Sequence, residues 1–173
     1  MKTMLKAIAC AAVLAAALAG CQATPDTPPA SDGGPAASEP APVKIVEGTP
    51  VLFFFADDAT TQLRSDMEAG KLPTACRTMY DESGARPEVV VTDPETIQEL
   101  YDRLSRMIVL EESGLGITDS YHYIFFTLAD GTEAGFSFEG AGLITRSQES
   151  WAVSDEGNLW GLVRELQDEM MEN

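Results

Sequence analysis

Three segments of the chain space their apolar residues as amphipathic helices do. The clearest begins after Asp93, a favourable N-cap residue, and has Pro94 in the first helical position. Its apolar residues fall on one stripe, which consists of Ile97, Leu100, Tyr101, Leu104 and Ile108. The same spacing predicts a second helix over 158–171 and a shorter one over 59–69, which Asp58 would cap.

Between the helices the apolar pattern changes to a period of two, which is typical of strands. The best example is the pair of segments 121–128 and 133–138, which flank the dipeptide Asp130-Gly131. An Asp-Gly pair between two alternating segments favours a tight β-turn. The sequence therefore predicts a β-hairpin here.

The turn also predicts which residues of this hairpin lie opposite each other. If Asp130 and Gly131 are its two central residues, Phe125 faces Phe136, and Tyr123 faces Phe138. Because alternate residues of a strand share a face, these four rings would form one aromatic layer of the core.

Shorter patterns predict further strands. Segments 143–146 and 151–153 suit a second hairpin, and segments 76–80 and 88–91 suit a third. The apolar run 51–55 is typical of a short buried strand. Strands arranged as hairpins, with helices between and after them, indicate an α+β fold, in which two to three helices pack on one face of an antiparallel sheet.

Adjacent aromatic residues put rings on both faces of the predicted strands. Phe125 and Phe126 are neighbours, and 53–55 is a run of three phenylalanines. Since neighbouring residues of a strand point to opposite faces, two interpretations follow. Either helices or loops cover these strands on both sides, or one side forms an apolar groove or partner-binding face.

Composition and charge narrow the range of partners. The chain has 173 residues, of which 11 are Lys or Arg and 28 are Asp or Glu, so its net charge is −17. A hydrophobic fraction of 45% is typical of globular proteins. The acidic balance argues against nucleic acid, whose phosphates need basic neutralisation. It favours a basic protein or another cationic partner.

The N-terminus has the pattern of an export signal. Lys2 and Lys6 precede an uncharged run over 7–19, which is too short to span a bilayer comfortably and suits a secretory signal peptide. The run ends in Leu18-Ala19-Gly20-Cys21. This motif resembles the lipobox of bacterial lipoproteins. The resemblance implies cleavage after Gly20, lipidation of Cys21 with acyl chains such as palmitate, and an anchor on the extracytoplasmic face of the cell membrane.

The organisation expected from these patterns has three parts. Residues 1–20 form the signal peptide, and 21–42 form a lipidated tether that is rich in proline and alanine. Such a tether contains no large apolar residue and cannot bury enough surface to order itself. Residues 43–173 contain all 13 aromatic residues of the chain and form a single acidic domain.

A second resemblance covers about 89–171. It rests on the order of Thr92-Asp93-Pro94-Glu95-x-Ile97, a helix, an Asp130-Gly131 hairpin, a short strand pair and a C-terminal helix. This order is similar to small uncharacterised lipoprotein domains of Gram-positive bacteria. The resemblance supports an extracytoplasmic α+β domain and carries no functional residue across.

Few residues of the domain suit catalysis. In the predicted register the chain's single histidine, His122, faces Glu139, and Phe126 lies on the same face of the hairpin. These three are the candidate binding residues, although a structural contact between strands explains His122 and Glu139 better than a functional site does. A general-base role would also need a third partner and a pocket.

Metal and cofactor sites are not expected. Of the three cysteines only Cys76 lies in the domain, where it suits a small buried apolar residue better than a nucleophile. Acidic residues cluster at 57–58, 111–112 and 165–172, but none of these runs has the ligand spacing of a calcium loop. The last cluster lies near a helix C-terminus, which carbonyl dipoles already make negative, so a fraying turn or a cationic partner would have to compensate it.

Two classes of function fit these observations. The first is a non-catalytic binding or scaffolding module of the cell envelope, tethered through Cys21. The second is a carboxylate-dependent envelope hydrolase, which only the abundance of acidic residues favours. The sequence predicts no cofactor and leaves the oligomeric state open.

Overall fold

The computed structural model describes residues 45–81, 84, 86–113, 120–146 and 149–172. These residues contain seven strands and three α-helices. The helices are α1 (Asp58–Glu68), α2 (Pro94–Ser105) and α3 (Leu159–Glu172). The strands are β1 (Ala75–Asp81), β2 (Val89–Val91), β3 (Ile108–Ser113), β4 (Tyr121–Thr127), β5 (Glu133–Glu139), β6 (Leu143–Arg146) and β7 (Glu149–Ser154).

All the described strands belong to one antiparallel sheet, in the order β2-β1-β4-β5-β6-β7-β3. The three predicted hairpins are present as β1–β2, β4–β5 and β6–β7. The helices pack on one face of the sheet, and the core between them includes Phe54, Leu63, Leu100, Phe126 and Phe136, all fully buried. The predicted α+β fold is therefore confirmed, and we call the opposite side of the sheet the outer face.

The helices begin where side chains accept hydrogen bonds from their first turns. Asp93 caps α2 as predicted, because its carboxylate accepts from the Thr96 N–H at 2.8 Å. The predicted cap of α1 is wrong by one residue: Asp57 accepts from the Thr60 N–H, and Asp58 is the first helical residue. In the α2 pattern only Ile108 was misplaced, since the helix ends at Ser105 and Ile108 begins β3.

The register of the β4–β5 hairpin differs from the prediction by one residue. The Gly131 N–H donates to the Leu128 carbonyl at 3.0 Å, and the Leu128 N–H donates to the Thr132 carbonyl at 2.8 Å. The loop therefore contains three residues, 129–131, and Gly131 adopts φ +86°, which suits the last residue of such a loop. Phe125 consequently lies opposite Gly135 and not Phe136.

This one-residue shift reverses which face of β4 points towards the core. Of the predicted aromatic layer, Phe136 and Phe138 are buried, but Tyr123 and Phe125 lie on the outer face, whereas Phe126 and its alternate neighbours in β4 are buried. The predicted opposition of His122 and Glu139 is also wrong, because His122 lies opposite Phe138 and Glu139 lies opposite Tyr121.

The run 51–55 is not a strand. The Val51 N–H donates to the Met107 carbonyl, but Val51–Phe53 then winds into a single turn of 3₁₀-helix that leads into α1. Strand β3 was not predicted, because its sequence Ile-Val-Leu-Glu-Glu-Ser does not alternate and a bulge interrupts its pairing with β7.

None of the helices in the described residues is long and apolar enough to cross a bilayer. The predicted signal peptide, Cys21 and the tether lie outside the described residues, so the three-part organisation stays a prediction.

Candidate functional site

The outer face of the sheet carries a row of aromatic side chains along β4. We call Tyr121, Tyr123 and Phe125 the aromatic stripe; Tyr121 is 48% exposed and the other two are half-buried. Ring centroids are 5.8 Å apart between Tyr121 and Tyr123, and 5.3 Å apart between Tyr123 and Phe125. The rings thus pack mainly along their own strand and present a continuous aromatic surface.

A glycine on the adjacent strand makes room for the Phe125 ring, which forms one end of this stripe. Gly135 of β5 lies directly opposite Phe125, and a Cβ at Gly135 would approach the Phe125 ring to 2.3 Å. The ring therefore lies across the backbone of β5, in a space that only glycine leaves open.

A network of charged groups surrounds the same ring. The Arg77 guanidinium lies 4.9 Å from the centroid of Phe125, and it forms ion pairs with Glu88 and Glu133 at 2.9 Å each. The Tyr123 hydroxyl donates to Glu88. The hydrogen bond from Arg77 holds the pKa of Glu133 below its usual range. Desolvation, assisted by the bond to Glu88, raises the pKa of Tyr123 to about 12.

A cavity of about 280 Å³ opens beside the stripe, and both Tyr121 and Phe125 line it. It lies where β5 and β6 diverge, since the two strands share only the pair Glu139↔Leu143 in register. Half of the residues that line it are aromatic, and Ser137, Thr145 and Glu139 supply polar groups. Glu139 is half-buried and is the one carboxylate among the residues that line the cavity.

The three candidate binding residues, His122, Glu139 and Phe126, do not lie together. Glu139 lines the cavity on the outer face, whereas His122 and Phe126 are fully buried on the helix side. The His122 ring stacks on Tyr80 with centroids 4.1 Å apart, and its Nδ1 accepts from the Asp81 N–H at 3.0 Å. His122 and Phe126 therefore contribute to the core, and the three do not form one surface site.

The domain cysteine is buried, in agreement with its predicted role. Cys76 has no exposed surface, and this burial raises the pKa of its thiol well above the usual range. A thiol that is kept protonated and away from solvent is inert as a nucleophile.

The acidic clusters are dispersed over separate elements. Asp57 caps α1, and Asp168 pairs with Arg86 at 3.1 Å. Among the described residues no three His, Cys, Asp or Glu side chains are grouped closely enough to hold a metal ion.

Sequence reasoning missed Tyr121 and Arg77 as surface groups. The alternation over 121–127 marked both faces of β4, but the assumed two-residue turn assigned the wrong one to the core. Glycine at 135, within a strand, was the available indication, because a strand glycine often marks a close approach of another group.

No protein family, no curated protein and no solved structure matched this chain. The interpretation of the site therefore rests on its own geometry.

Proposed function

We propose that this chain is a lipid-anchored extracytoplasmic lipoprotein whose domain is a non-catalytic binding module. In this proposal the tether carries the domain away from the membrane surface, and the outer face of the sheet holds a basic protein partner. The observation that carries the proposal is the cavity where Tyr121 and Glu139 lie side by side on adjacent strands.

The chemistry of this cavity suits a cationic side chain. Aromatic ring faces attract cations through their quadrupole, and a half-buried carboxylate adds a charge-assisted hydrogen bond. The Ser137 hydroxyl accepts from the Tyr121 hydroxyl at 2.9 Å, and the Thr145 hydroxyl is hydrogen-bonded to that of Ser150 at 3.2 Å. A hydroxyl oxygen has two lone pairs, so each can still accept from an N–H group of a guanidinium. An arginine or lysine of the partner would therefore insert beside Tyr121 and reach Glu139.

The charge of the whole domain supports the same type of partner. Residues 43–173 contain 25 acidic and nine basic residues. Such a field attracts basic proteins and accelerates their association, and it repels nucleic acid and anionic lipid surfaces. The fully buried His122 and Cys76 do not reach the solvent, so catalysis by either has no support here.

The anchor is tested by acyl labelling of the full chain in a bacterial host. Cys21→Ser should abolish incorporation of a palmitate analogue, because the thiol that receives the lipid is absent. Cys10→Ser is the matched control and should label normally, since that residue lies within the predicted signal peptide. Normal labelling of Cys21→Ser would contradict the anchor.

The cavity is tested by NMR titration of the full chain with Nα-acetyl-arginine amide. We expect saturable shifts of the amides of 121, 137 and 139, and much weaker shifts with the uncharged citrulline analogue. Glu139→Gln should weaken binding about fivefold, which corresponds to about 1 kcal/mol. Glu149→Gln is the matched control, because Glu149 lies on β7 and outside the cavity. Equal binding of the two probes, or equal effects of the two variants, would overturn this assignment.

A further inference from the structure

The two edges of the sheet differ in how their backbone is covered. At the β3 edge, the segment just before α1 supplies partners: the Gly48 N–H donates to the Val109 carbonyl at 2.7 Å, and the Val109 N–H donates to the Thr49 carbonyl at 2.8 Å. At the opposite edge, β2 pairs with β1 on one side only. Within the described residues no other segment donates to or accepts from the β2 backbone. Since successive residues of a strand direct their polar groups to opposite sides, at least one residue of β2 presents its N–H and C=O outward.

A groove runs along this open edge. It has a volume of about 370 Å³ and lies between β2, the C-terminal half of α3 and the start of α2. Val90 is 58% exposed and Met170 is 42% exposed, and Leu166 continues the apolar wall. Val89 and Val91 of β2 are buried, so Val90 is the exposed valine of this strand. A strand edge made of valine is unusual, because proteins generally protect sheet edges with charged residues or proline.

The rim of the groove is acidic. Glu169 of α3 and Asp93 at the start of α2 both line it. The groove also lies near the C-terminal end of α3, where carbonyl dipoles and further carboxylates add negative charge. This arrangement combines apolar contacts, an open strand edge and a negative rim.

Three candidates for the occupant of the groove differ in charge: a second copy of this chain, the chain's own residues 22–42, and a basic segment of another protein. A second copy of this chain would bring the same acidic rim and a net charge of −17 to the contact, which disfavours self-pairing. The chain's own residues 22–42 contain six prolines, which have no backbone N–H to donate, and three acidic residues but no basic residue, so their charge does not complement the rim. A basic segment of another protein has neither disadvantage.

We propose that this groove binds an extended segment of a partner protein, with alternating apolar and basic residues, as an eighth strand of the sheet. The backbone of the segment pairs with the open edge of β2, its apolar side chains pack against Leu166 and Met170, and its basic side chains reach Glu169 and Asp93. This site lies at the β2 edge of the sheet, whereas the cavity beside Tyr121 lies between inner strands, and the two do not depend on each other.

The probe is an acetylated and amidated seven-residue peptide of alternating valine and lysine, titrated into the full chain by calorimetry. We expect saturable binding and slower hydrogen exchange of the amides of Val89–Val91, because the added strand supplies them with partners. The same peptide with methylated backbone nitrogens keeps its charge but loses its donors, and it should not bind measurably. Equal binding of the methylated peptide would show attraction by charge alone and would overturn strand addition.

Two pairs of variants locate the contact. Met170→Ser should weaken binding about fivefold, whereas Met171→Ser, which alters an exposed methionine outside the groove, should not. Glu169→Gln should weaken binding two- to threefold at low salt, and Glu172→Gln should have less effect. Thermal melts of all four variants check that the domain remains folded.

The results of these experiments distinguish the groove from other binding sites, and a partner segment from a second copy of this chain. Equal losses within either pair of variants would overturn the groove as the binding site. Sedimentation of the full chain without peptide tests the second copy as occupant: a dimer that Met170→Ser dissociates would overturn the proposed partner. The probe and variants differ from those used for the cavity, so either proposal can fail while the other stands.

Discussion

Both faces of β4 carry large aromatic or aliphatic side chains, but the two faces differ in their surroundings. His122, Ile124 and Phe126 have no exposed surface, whereas the aromatic stripe on the other face remains partly exposed. Coverage by the helices accounts for the difference. The Trp160 ring of α3 lies 5.4 Å from His122, and the Tyr101 ring of α2 lies 6.0 Å from Phe126.

Hydrophobicity alone therefore does not place a side chain in the core. His122 is fully buried, where it stacks on Tyr80 and its Nδ1 accepts a backbone hydrogen bond, so this nitrogen does not need water. A phenylalanine remains at the surface because glycine and arginine on adjacent strands hold it there. The outer face is an ordered surface, which is the property that a binding face requires.

The largest expected contrast between the two faces is in stability. Phe126→Ala leaves a cavity in the core and should lower the free energy of unfolding by about 3–5 kcal/mol. Phe125→Ala removes a half-buried ring and should cost about 1–2 kcal/mol, because water can fill the space. Urea denaturation of both variants measures the comparison. Equal losses would show that an unrecognised element also covers the outer face.

A smaller contrast is expected between two glycines. A Cβ at Gly157, on the helix side, would lie 2.6 Å from the Arg103 carbonyl oxygen, so Gly157→Ala must displace the backbone of α2. We expect a loss of about 2–3 kcal/mol from this substitution. The three atoms nearest to a Cβ at Gly135 all belong to the Phe125 ring, which can rotate towards solvent, so Gly135→Ala should cost less than about 1 kcal/mol.

The same denaturation experiment, with a third variant, separates these effects. Gly142→Ala is the control, since its Cβ would meet only one atom, at 4.0 Å. For Gly135→Ala the more sensitive measurement is the NMR ring shifts of Phe125, which should change as the ring leaves β5. An unchanged Phe125 spectrum would mean that the backbone moves and not the ring.

The smallest expected effect concerns the charges on the outer face. Arg77 lowers the pKa of Glu133 in the folded state, so the ion pair increases the free energy of unfolding. This contribution is fully present at pH values above the pKa of a glutamate in the unfolded chain, which is about 4.3. That contribution is lost as the pH falls through the folded pKa. Glu133→Gln should therefore melt slightly below the wild type near neutral pH, and the difference should vanish in acid.

Melting temperatures of both proteins at a series of pH values measure this effect. Added salt should reduce the difference near neutral pH, because the pair is largely accessible to solvent. A difference that persisted in acid would indicate that the substituted glutamine disturbs packing and that the charge has no role.

The fold was predictable wherever local patterns determine it. Asp93 and Pro94 marked the start of α2, and the three hairpins were found in their correct segments. The cap of α1 was misassigned because Asp57 and Asp58 are adjacent and both suit an N-cap. Strand β3 was missed because its outer residues are acidic and a bulge interrupts its alternation.

Of the three candidate binding residues, only Glu139 lines the cavity, and for a different reason than the one predicted. It was selected as the partner of His122, but it lines the cavity with Tyr121 instead. The cavity exists because β5 and β6 diverge, and divergence of two strands leaves no pattern in either segment. The groove beside β2 likewise depends on where α3 lies, which no local pattern reports.

Local spacing and composition are enough to place nearly every helix and hairpin, and they also establish the acidic balance and the lack of a disulfide framework in the domain. Which set of alternate residues in β4 is buried depends instead on long-range packing. Both sets in Tyr-His-Tyr-Ile-Phe-Phe-Thr are largely apolar, so the alternation fits the core either way. The loop contains one more residue than predicted, Ala129, and the helices pack on a single face of the sheet. Together these two features bury His122, Ile124 and Phe126 and leave the aromatic stripe at the surface.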